Sequence, residues 1–319
     1  MPARDDRASG TPARMRSITL DVGGPVHLAE WGRGPVGIVL VHGLGGSHLN
    51  WMSVAPRLAR WGRTRVLAPD LVGFGLTPVA GRRTTVAAQR ALLHRLVRET
   101  CDRPVVLIGN SMGGLIALAE AALHPETAAG LVLVDAVLPG PWRQGRPRVV
   151  VASFASYLLS PLGRGLLRRV RDRASVDALV EGALQLNARH FERIPPEVVQ
   201  AHVDLERIRG RIEGQDGAYV EAARSIVLAL AHPGMLRRII DRVRVPTLIV
   251  HGAADRLVRV DAALDAHRQR PDWSLQVLAD VGHIPMLEAP ERFLEVMDGW
   301  LRTEGLISAR ARVLAPVSP

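Results

Sequence analysis

No lysine occurs in the 319 residues, so all 41 basic side chains are arginine. An arginine guanidinium does not give up its proton. Schiff-base chemistry, a Ser-Lys dyad and a phosphate-loop lysine are therefore excluded. Cysteine is almost as scarce, with Cys101 alone, which removes disulfides, CxxC redox pairs, Cys-based zinc sites and iron–sulfur clusters together. Aromatic residues make up only 4% of the chain. Long apolar runs are missing too: in the basic middle region the longest stretch free of charge and turn residues, Val149–Leu159, is too short to span a bilayer. No secretory signal is legible, because Met1 to Ser17 is polar and carries Arg4, Asp5, Asp6, Arg7, Arg14 and Arg16. With the free thiol, these features predict a soluble cytoplasmic protein.

Apolar residues reach 47% and charged residues 23%, which fits a globular chain with a sizeable core. At about 100–200 residues per domain, the length predicts one large or two small domains. The net charge of +10 reads as compositional bias on a solvated surface, given arginine without lysine. Arginine is spread along the chain, aromatics are few and no nucleic-acid module is present, so no nucleic-acid partner is expected. One stretch is denser: Arg143 to Arg173 holds eight arginines against Asp172 alone, a local sum of +7. With Val149–Leu159 inside it, that stretch leaves open a peripheral contact with an anionic membrane. A helix packed on the core with exposed arginines is the plainer alternative.

Short β-branched or apolar runs recur at Ile18–Val22, Val26–Trp31, Ile38–His42, Arg65–Asp70, Val105–Asn110 and Leu131–Asp135. Helix-length segments at Met52–Arg60, Thr85–Thr100 and Met112–Leu123 lie between some of them. Gly23-Gly24-Pro25 between the first two strands predicts a hairpin. The alternation that follows implies βαβ units and a mostly parallel sheet flanked by helices, an α/β fold. It breaks at Pro139-Gly140-Pro141 and resumes with a strand at Thr247–Gly252, a helix near Val260–Arg270, a strand near Ser274–Asp280 and a helix near Glu291–Leu301. The chain thus parses as a core of residues 17–138 and 241–305, a helical insertion at 139–240, and loose tails at 1–16 and 306–319.

Gly32-Arg33-Gly34-Pro35-Val36-Gly37 matches a dinucleotide-binding glycine motif by its letters alone. That motif must open a helix, whereas a strand follows here, so the segment is a turn. Gly109-Asn110-Ser111-Met112-Gly113 is more informative, because it stands between a strand and a helix. Serine in G-x-S-x-G at that junction is a nucleophile elbow, with the hydroxyl raised beside the positive end of the helix. Such a serine needs a base and an acid, expected downstream in the order acid, then histidine. Asp255 and His283 supply them, each in a loop at the carboxyl end of a strand. Asp135, closing the strand before the insertion, is the rival acid; Asp255 is favoured because it lies in the loop ahead of the base. Among the 11 histidines, His94, His124, His190, His202, His232 and His267 fall in helical or cap segments and His251 ends a strand, where structural roles are usual. Glycines in His42-Gly43-Leu44-Gly45-Gly46 free backbone N–H groups for an oxyanion, one from Leu44 and one from Met112.

These segments, with Asp70-Leu71-Val72-Gly73-Phe74-Gly75, Gly252–Val258 and Gly282-His283-Ile284-Pro285 followed by Glu288 and Pro290, resemble a serine member of the α/β-hydrolase superfamily. The resemblance implies the α/β-hydrolase fold, with 139–240 as a cap or lid. It implies Ser111 as nucleophile, His283 as base and Asp255 as acid, no metal or organic cofactor, and a small or lipid-like apolar ester as substrate. A serine nucleophile argues against epoxide hydrolases and haloalkane dehalogenases, which use aspartate. Gly-Asn-Ser-Met-Gly-Gly is similar to carbon–carbon bond hydrolases of ring-cleavage products, but those usually carry tryptophan soon after the base. Ile284-Pro285 stands there instead and resembles esterases, lipases and cofactor-free perhydrolases. A hydrolase-fold binder without turnover is the remaining alternative, and such relatives typically lack part of the triad.

Overall fold

The computed structural model describes residues 14–61, 64–140, 173–210, 212 and 214–307, with 165, 168 and 169 as isolated positions. Strands β1 (Arg16–Asp21), β2 (Pro25–Trp31), β3 (Val36–Val41), β4 (Arg65–Pro69), β5 (Val105–Asn110), β6 (Ala128–Val134), β7 (Thr247–Gly252) and β8 (Ser274–Leu278) form one sheet. Its order is β1-β2-β4-β3-β5-β6-β7-β8. The first two neighbouring pairs, β1–β2 and β2–β4, are antiparallel and the rest parallel, so the β1–β2 hairpin edges an otherwise parallel sheet. Gly23 and Gly24 take φ 70° and 115° in the hairpin turn, and Gly32 and Gly34 take φ 84° and 102° between β2 and β3. The dinucleotide look-alike is thus a strand-to-strand turn.

Helices α1 (Ala55–Leu58), α2 (Val86–Thr100), α3 (Met112–Leu123), α4 (Val176–Asn187), α5 (Pro196–Arg209), α6 (Gln215–Leu230), α7 (Pro233–Arg242), α8 (Val260–Gln269), α9 (Pro285–Glu288) and α10 (Pro290–Thr303) complete the described elements. The central strands read as continuous apolar runs because each is covered on both faces. Side chains alternate between the two layers. Val105, Leu107, Leu131, Leu133 and Ile249 meet Leu93 and Leu96 of α2, Leu115 and Leu118 of α3, and Ile240 of α7. Val106, Ile108, Val132, Val134, Leu248 and Val250 meet Leu58 of α1 and Phe293, Met297 and Leu301 of α10. Truncating any such buried leucine to alanine costs about 2–5 kcal/mol.

The helix expected at Met52–Arg60 is shorter. A 3-10 turn at His48–Trp51 comes first, opened by Ser47 and Asn50 in a reciprocal capping box. Only Ala55–Leu58 is α-helical, because Pro56 near its start has no N–H to donate and cannot extend the helix backward. Between β6 and β7 the described elements are all helical; the basic stretch 143–173 falls almost wholly outside the described residues. Among the described residues no helix is long and apolar enough to cross a membrane.

The chain runs from β3 out to β4 on one side, then returns to place β5 on the other side of β3. Strand order therefore reverses between β3 and β5. Open α/β sheets bind ligands at the carboxyl ends of their strands beside such a reversal.

Candidate active site

Ser111 occupies that reversal point, between β5 and α3, at φ 56° and ψ −118°. A non-glycine residue there carries strain of about 1–3 kcal/mol and needs its surroundings to hold it. Its N–H donates to the Val134 carbonyl at 3.0 Å, and its own carbonyl accepts from Val137, Gly114 and Leu115. A Cβ on Gly109 would lie 2.2 Å from the Gly113 carbonyl oxygen, and one on Gly113 would lie 2.2 Å from that of Val41. Only glycine permits this approach. The Ser111 hydroxyl makes no capping hydrogen bond to α3, and the side chain is half-buried.

Asn110 ties the elbow to the loop that carries His283. Its amide donates to the Val134 carbonyl at 3.2 Å and to the His283 carbonyl at 3.0 Å. The His283 ring places Nδ1 2.6 Å from Asp255 Oδ2, with both side chains buried. Asp255 Oδ1 accepts from the Leu257 and Val258 N–H groups at 2.7 and 3.0 Å. Burial opposes the Asp255 charge, but His283, His251 and the Leu257 N–H together hold its carboxyl below the ordinary value. An ionised Asp255 accepting from Nδ1–H leaves the Nε2 lone pair of His283 as the basic atom.

Glu288 holds the His283 loop from behind. Its carboxylate accepts from Gly282 N–H at 2.8 Å, Arg189 N–H at 3.1 Å and His190 N–H at 2.9 Å. The His283 N–H in turn donates to the Asn187 carbonyl at 2.7 Å. The end of α4 and the residues after it are thereby clamped to the His283 loop.

The glycine loop after β3 reaches the same place. A Cβ on Gly43 would lie 3.0 Å from Ser111 Cβ, so its backbone abuts the elbow. Gly46 N–H closes a turn onto the Gly43 carbonyl at 3.1 Å, with Gly45 at φ 75°. Gly43 O also lies 2.8 Å from His42 Nδ1, while His42 Nε2 accepts from Leu71 N–H at 3.0 Å. These two contacts fix the tautomer: Nδ1 carries the hydrogen and donates. Burial lowers the His42 pKa to about 4, against the opposing pull of Asp70. In a trans peptide the N–H points opposite to the C=O. With the Gly43 carbonyl held on the His42 side, Leu44 N–H is turned away from it. Neither Leu44 N–H nor Met112 N–H has a partner among the described residues.

Asp70 anchors this loop. It lies 2.8 Å from His27 Nδ1 and 3.0 Å from His48 Nδ1, and accepts from His48 N–H at 2.7 Å and Leu76 N–H at 2.8 Å. Burial works against its charge, yet these donors drive the carboxyl far below the usual carboxylate range. From α5 and α6, Arg209 donates to the Gly45 carbonyl at 3.3 Å, and a Cβ on Gly45 would lie 3.1 Å from the Tyr219 ring.

Asp135, the rival acid, lies beside Asp255 instead of outside the site. Its side chain is fully buried, with φ 44° just beyond β6, and Oδ1 accepts from Gly252 N–H at 2.8 Å. Among the described residues, three clusters bring imidazole and carboxylate atoms within 4.8 Å: His27–His48–Asp70, His94–Glu120–His124 and Asp135–Asp255–His283. Each holds a short imidazole–carboxylate contact, at 2.8, 2.9 and 2.6 Å respectively. Those are hydrogen-bonding separations, and Arg90 at 3.2 Å from Glu120 adds positive charge to the second cluster.

The structure thus brings Ser111, Met112, Leu44, Asp255 and His283 to one end of the sheet. The sequence reading gave no role to Asn110, His42, Asp70 or Glu288. Asn110 has a signal of its own, being the one polar side chain closing the buried run Val105–Gly109. Glu288 is an acid set in an apolar segment just before Pro290.

The profile of the alpha/beta hydrolase family matches residues 38–296. Lipase 1 of Psychrobacter immobilis is 27% identical over 302 residues, covering 93% of this chain and 86% of that protein. A 2-hydroxy-6-oxo-6-(2'-aminophenyl)hexa-2,4-dienoic acid hydrolase of Metapseudomonas resinovorans is 28% identical over 261 residues, covering 80% of each chain. Among solved structures, a protein described as a lipase from Acinetobacter baumannii AYE is similar with a TM-score of 0.72 and 26% identity, covering 91% of this chain and 92% of that one.

Proposed function

The chain belongs to the alpha/beta hydrolase family, and we propose that within it the protein is a serine hydrolase cleaving a carboxylic ester of a small or lipid-like apolar substrate. One observation carries this reading. Ser111 is held in a strained elbow whose neighbour Asn110 is bonded to His283, and His283 is in turn bonded to Asp255.

In the proposed reaction His283 Nε2 takes the Ser111 proton as Oγ bonds to the ester carbonyl carbon. Asp255 fixes the tautomer and stabilises the imidazolium. The Leu44 and Met112 N–H groups face the oxyanion, each contributing about 3 kcal/mol in the transition state. His283 then protonates the departing alkoxide, and water repeats the sequence on the acyl-enzyme. No step calls for a metal or an organic cofactor. Helices α4–α6 serve as the cap, and their Arg209 and Tyr219 contacts on Gly45 couple its position to the oxyanion loop.

Hydrolysis of p-nitrophenyl esters of increasing acyl length tests the proposal, with Ser111→Ala as the blank. We expect kcat to fall by roughly four to six orders of magnitude in that variant, with an unchanged melting temperature. Wild-type turnover in Ser111→Ala would refute the reading. The Metapseudomonas relative supports carbon–carbon bond cleavage as the second reading. Ser111-dependent turnover of a ring-cleavage product, with none on any ester, would establish it.

A further inference from the structure

Asp135 and Asp255 place two carboxyl groups in one buried pocket, and the pocket is unevenly furnished. Asp255 receives two backbone N–H groups and the His283 ring. Asp135 receives one backbone N–H, from Gly252, and its Oδ2 is buried with no partner among the described residues. His251 does not make up the deficit. Its Nε2 lies 3.7 Å from Asp135 and 3.6 Å from Asp255, but donates to the Val258 carbonyl at 2.9 Å. Its Nδ1 is also without a partner among the described residues.

Carboxylate oxygens of Asp135 and Asp255 and a ring nitrogen of His283 all lie within 4.8 Å of one another. Two ionised carboxylates that close, out of water, repel strongly unless each has its own cation. Here Asp255 has the donors and Asp135 does not. We propose that Asp135 is a neutral carboxylic acid whose proton is turned toward Asp255, making it a positioning residue for the acid–base pair. Once protonated, the orphaned Oδ2 becomes a donor, with the Asp255 carboxylate as its acceptor. Burial and the facing charges of Asp255 and Glu288 raise the Asp135 carboxyl well above its ordinary value, against the single pull of Gly252 N–H.

The consequence is chemical. A hydrogen bond from Asp135 withdraws negative charge from Asp255 and moderates how strongly Asp255 stabilises the His283 imidazolium. The groups facing Asp135 are Asp255, His283, His251 and Glu288, and Asp135 sets their balance by contributing a proton instead of a second charge. The kinetic part of this inference rests on the serine-hydrolase reading; the protonation state of Asp135 does not.

Infrared spectroscopy of the intact protein at pH 7, where exposed carboxyls are ionised, tests the state directly. We expect a protonated-carboxyl C=O band in wild type that disappears in Asp135→Asn, or in Asp135→Ser should the amide variant not fold. A wild-type spectrum without that band, or one whose band survives both substitutions, overturns the proposal. The pH profile of kcat/KM provides the second arm. Asp135→Ala should move its basic-group limb upward by about half a pH unit or more, as the full Asp255 charge falls on His283. Asp135→Asn, which can donate in the same direction, should bring the limb back toward wild type. A downward shift in both variants would mean that Asp135 is ionised. Absence of any Ser111-dependent hydrolysis would remove the catalytic reading, and the infrared result would still decide the state of Asp135.

Discussion

Asp70 and Asp135 are both fully buried and both stand at the carboxyl ends of strands, yet the structure drives their carboxyls in opposite directions. Around Asp70 converge two imidazole rings and two backbone N–H groups. One backbone N–H reaches Asp135, across from a second carboxylate. Burial is common to both and so explains neither. Donor count and neighbouring charge decide whether a buried acid keeps its proton. The two residues differ accordingly: a charged Asp70 fastens the glycine loop after β3, while Asp135 faces the carboxylate of Asp255.

The strongest test of this contrast is removal of each carboxyl. Asp70→Ala leaves four donors without their acceptor and should cost about 3–5 kcal/mol in denaturant unfolding. Asp135→Asn, which cannot ionise in either state, should lose no stability at neutral pH, and equal losses in the two would abolish the distinction. The pH dependence has opposite signs as well. Asp70, with its folded pKa depressed, contributes stability above its unfolded pKa that is lost as pH falls through the folded value.

His42 sharpens the picture on the same loop. Its pKa falls from 6.5 unfolded to about 4 folded, so its contribution is complete above pH 6.5 and is lost as pH drops toward 4. The full effect is about 3 kcal/mol. His42→Gln can donate and accept but cannot titrate, so thermal melts between pH 7 and pH 4 should show a flatter slope for it than for wild type. An identical slope would place the acid sensitivity elsewhere.

The sign reverses at Asp135. With its folded pKa raised, the stability it contributes is present below its unfolded value and is lost as pH rises through the folded one. Asp135→Asn does not ionise, so its stability relative to wild type should rise by more than about 1 kcal/mol between pH 3, below the unfolded pKa, and pH 7. A variant that is equally favoured at both pH values would point to packing as the cause.

Much of the scaffold was legible in the chain. Strands buried on both faces must be apolar without interruption, and Val105–Ile108 and Leu131–Val134 announce themselves for that reason. Ser111 could be placed because an elbow demands small residues where backbone meets backbone, as the Gly113–Val41 approach shows. Met52–Arg60 was less legible. Apolar spacing suited a helix, but contacts of His48 with Asp70 and the missing N–H of Pro56 gave a 3-10 turn and a shorter α1.

What the sequence determined by itself is therefore whatever depends on near neighbours: the alternation of strands and helices, the glycine-bound elbow, and the order of serine, acid and histidine. Tertiary structure alone decided the chemistry between distant residues. Asn110 bonds to a carbonyl 173 positions away, Asp70 to a ring 43 positions away, and Asp135 to an amide 117 positions away. The charge on a buried acid and the tautomer of a buried imidazole follow from donors assembled by folding. No local pattern in the chain encodes them, because water, which levels such differences in the open chain, is excluded only when the sheet and its loops close together.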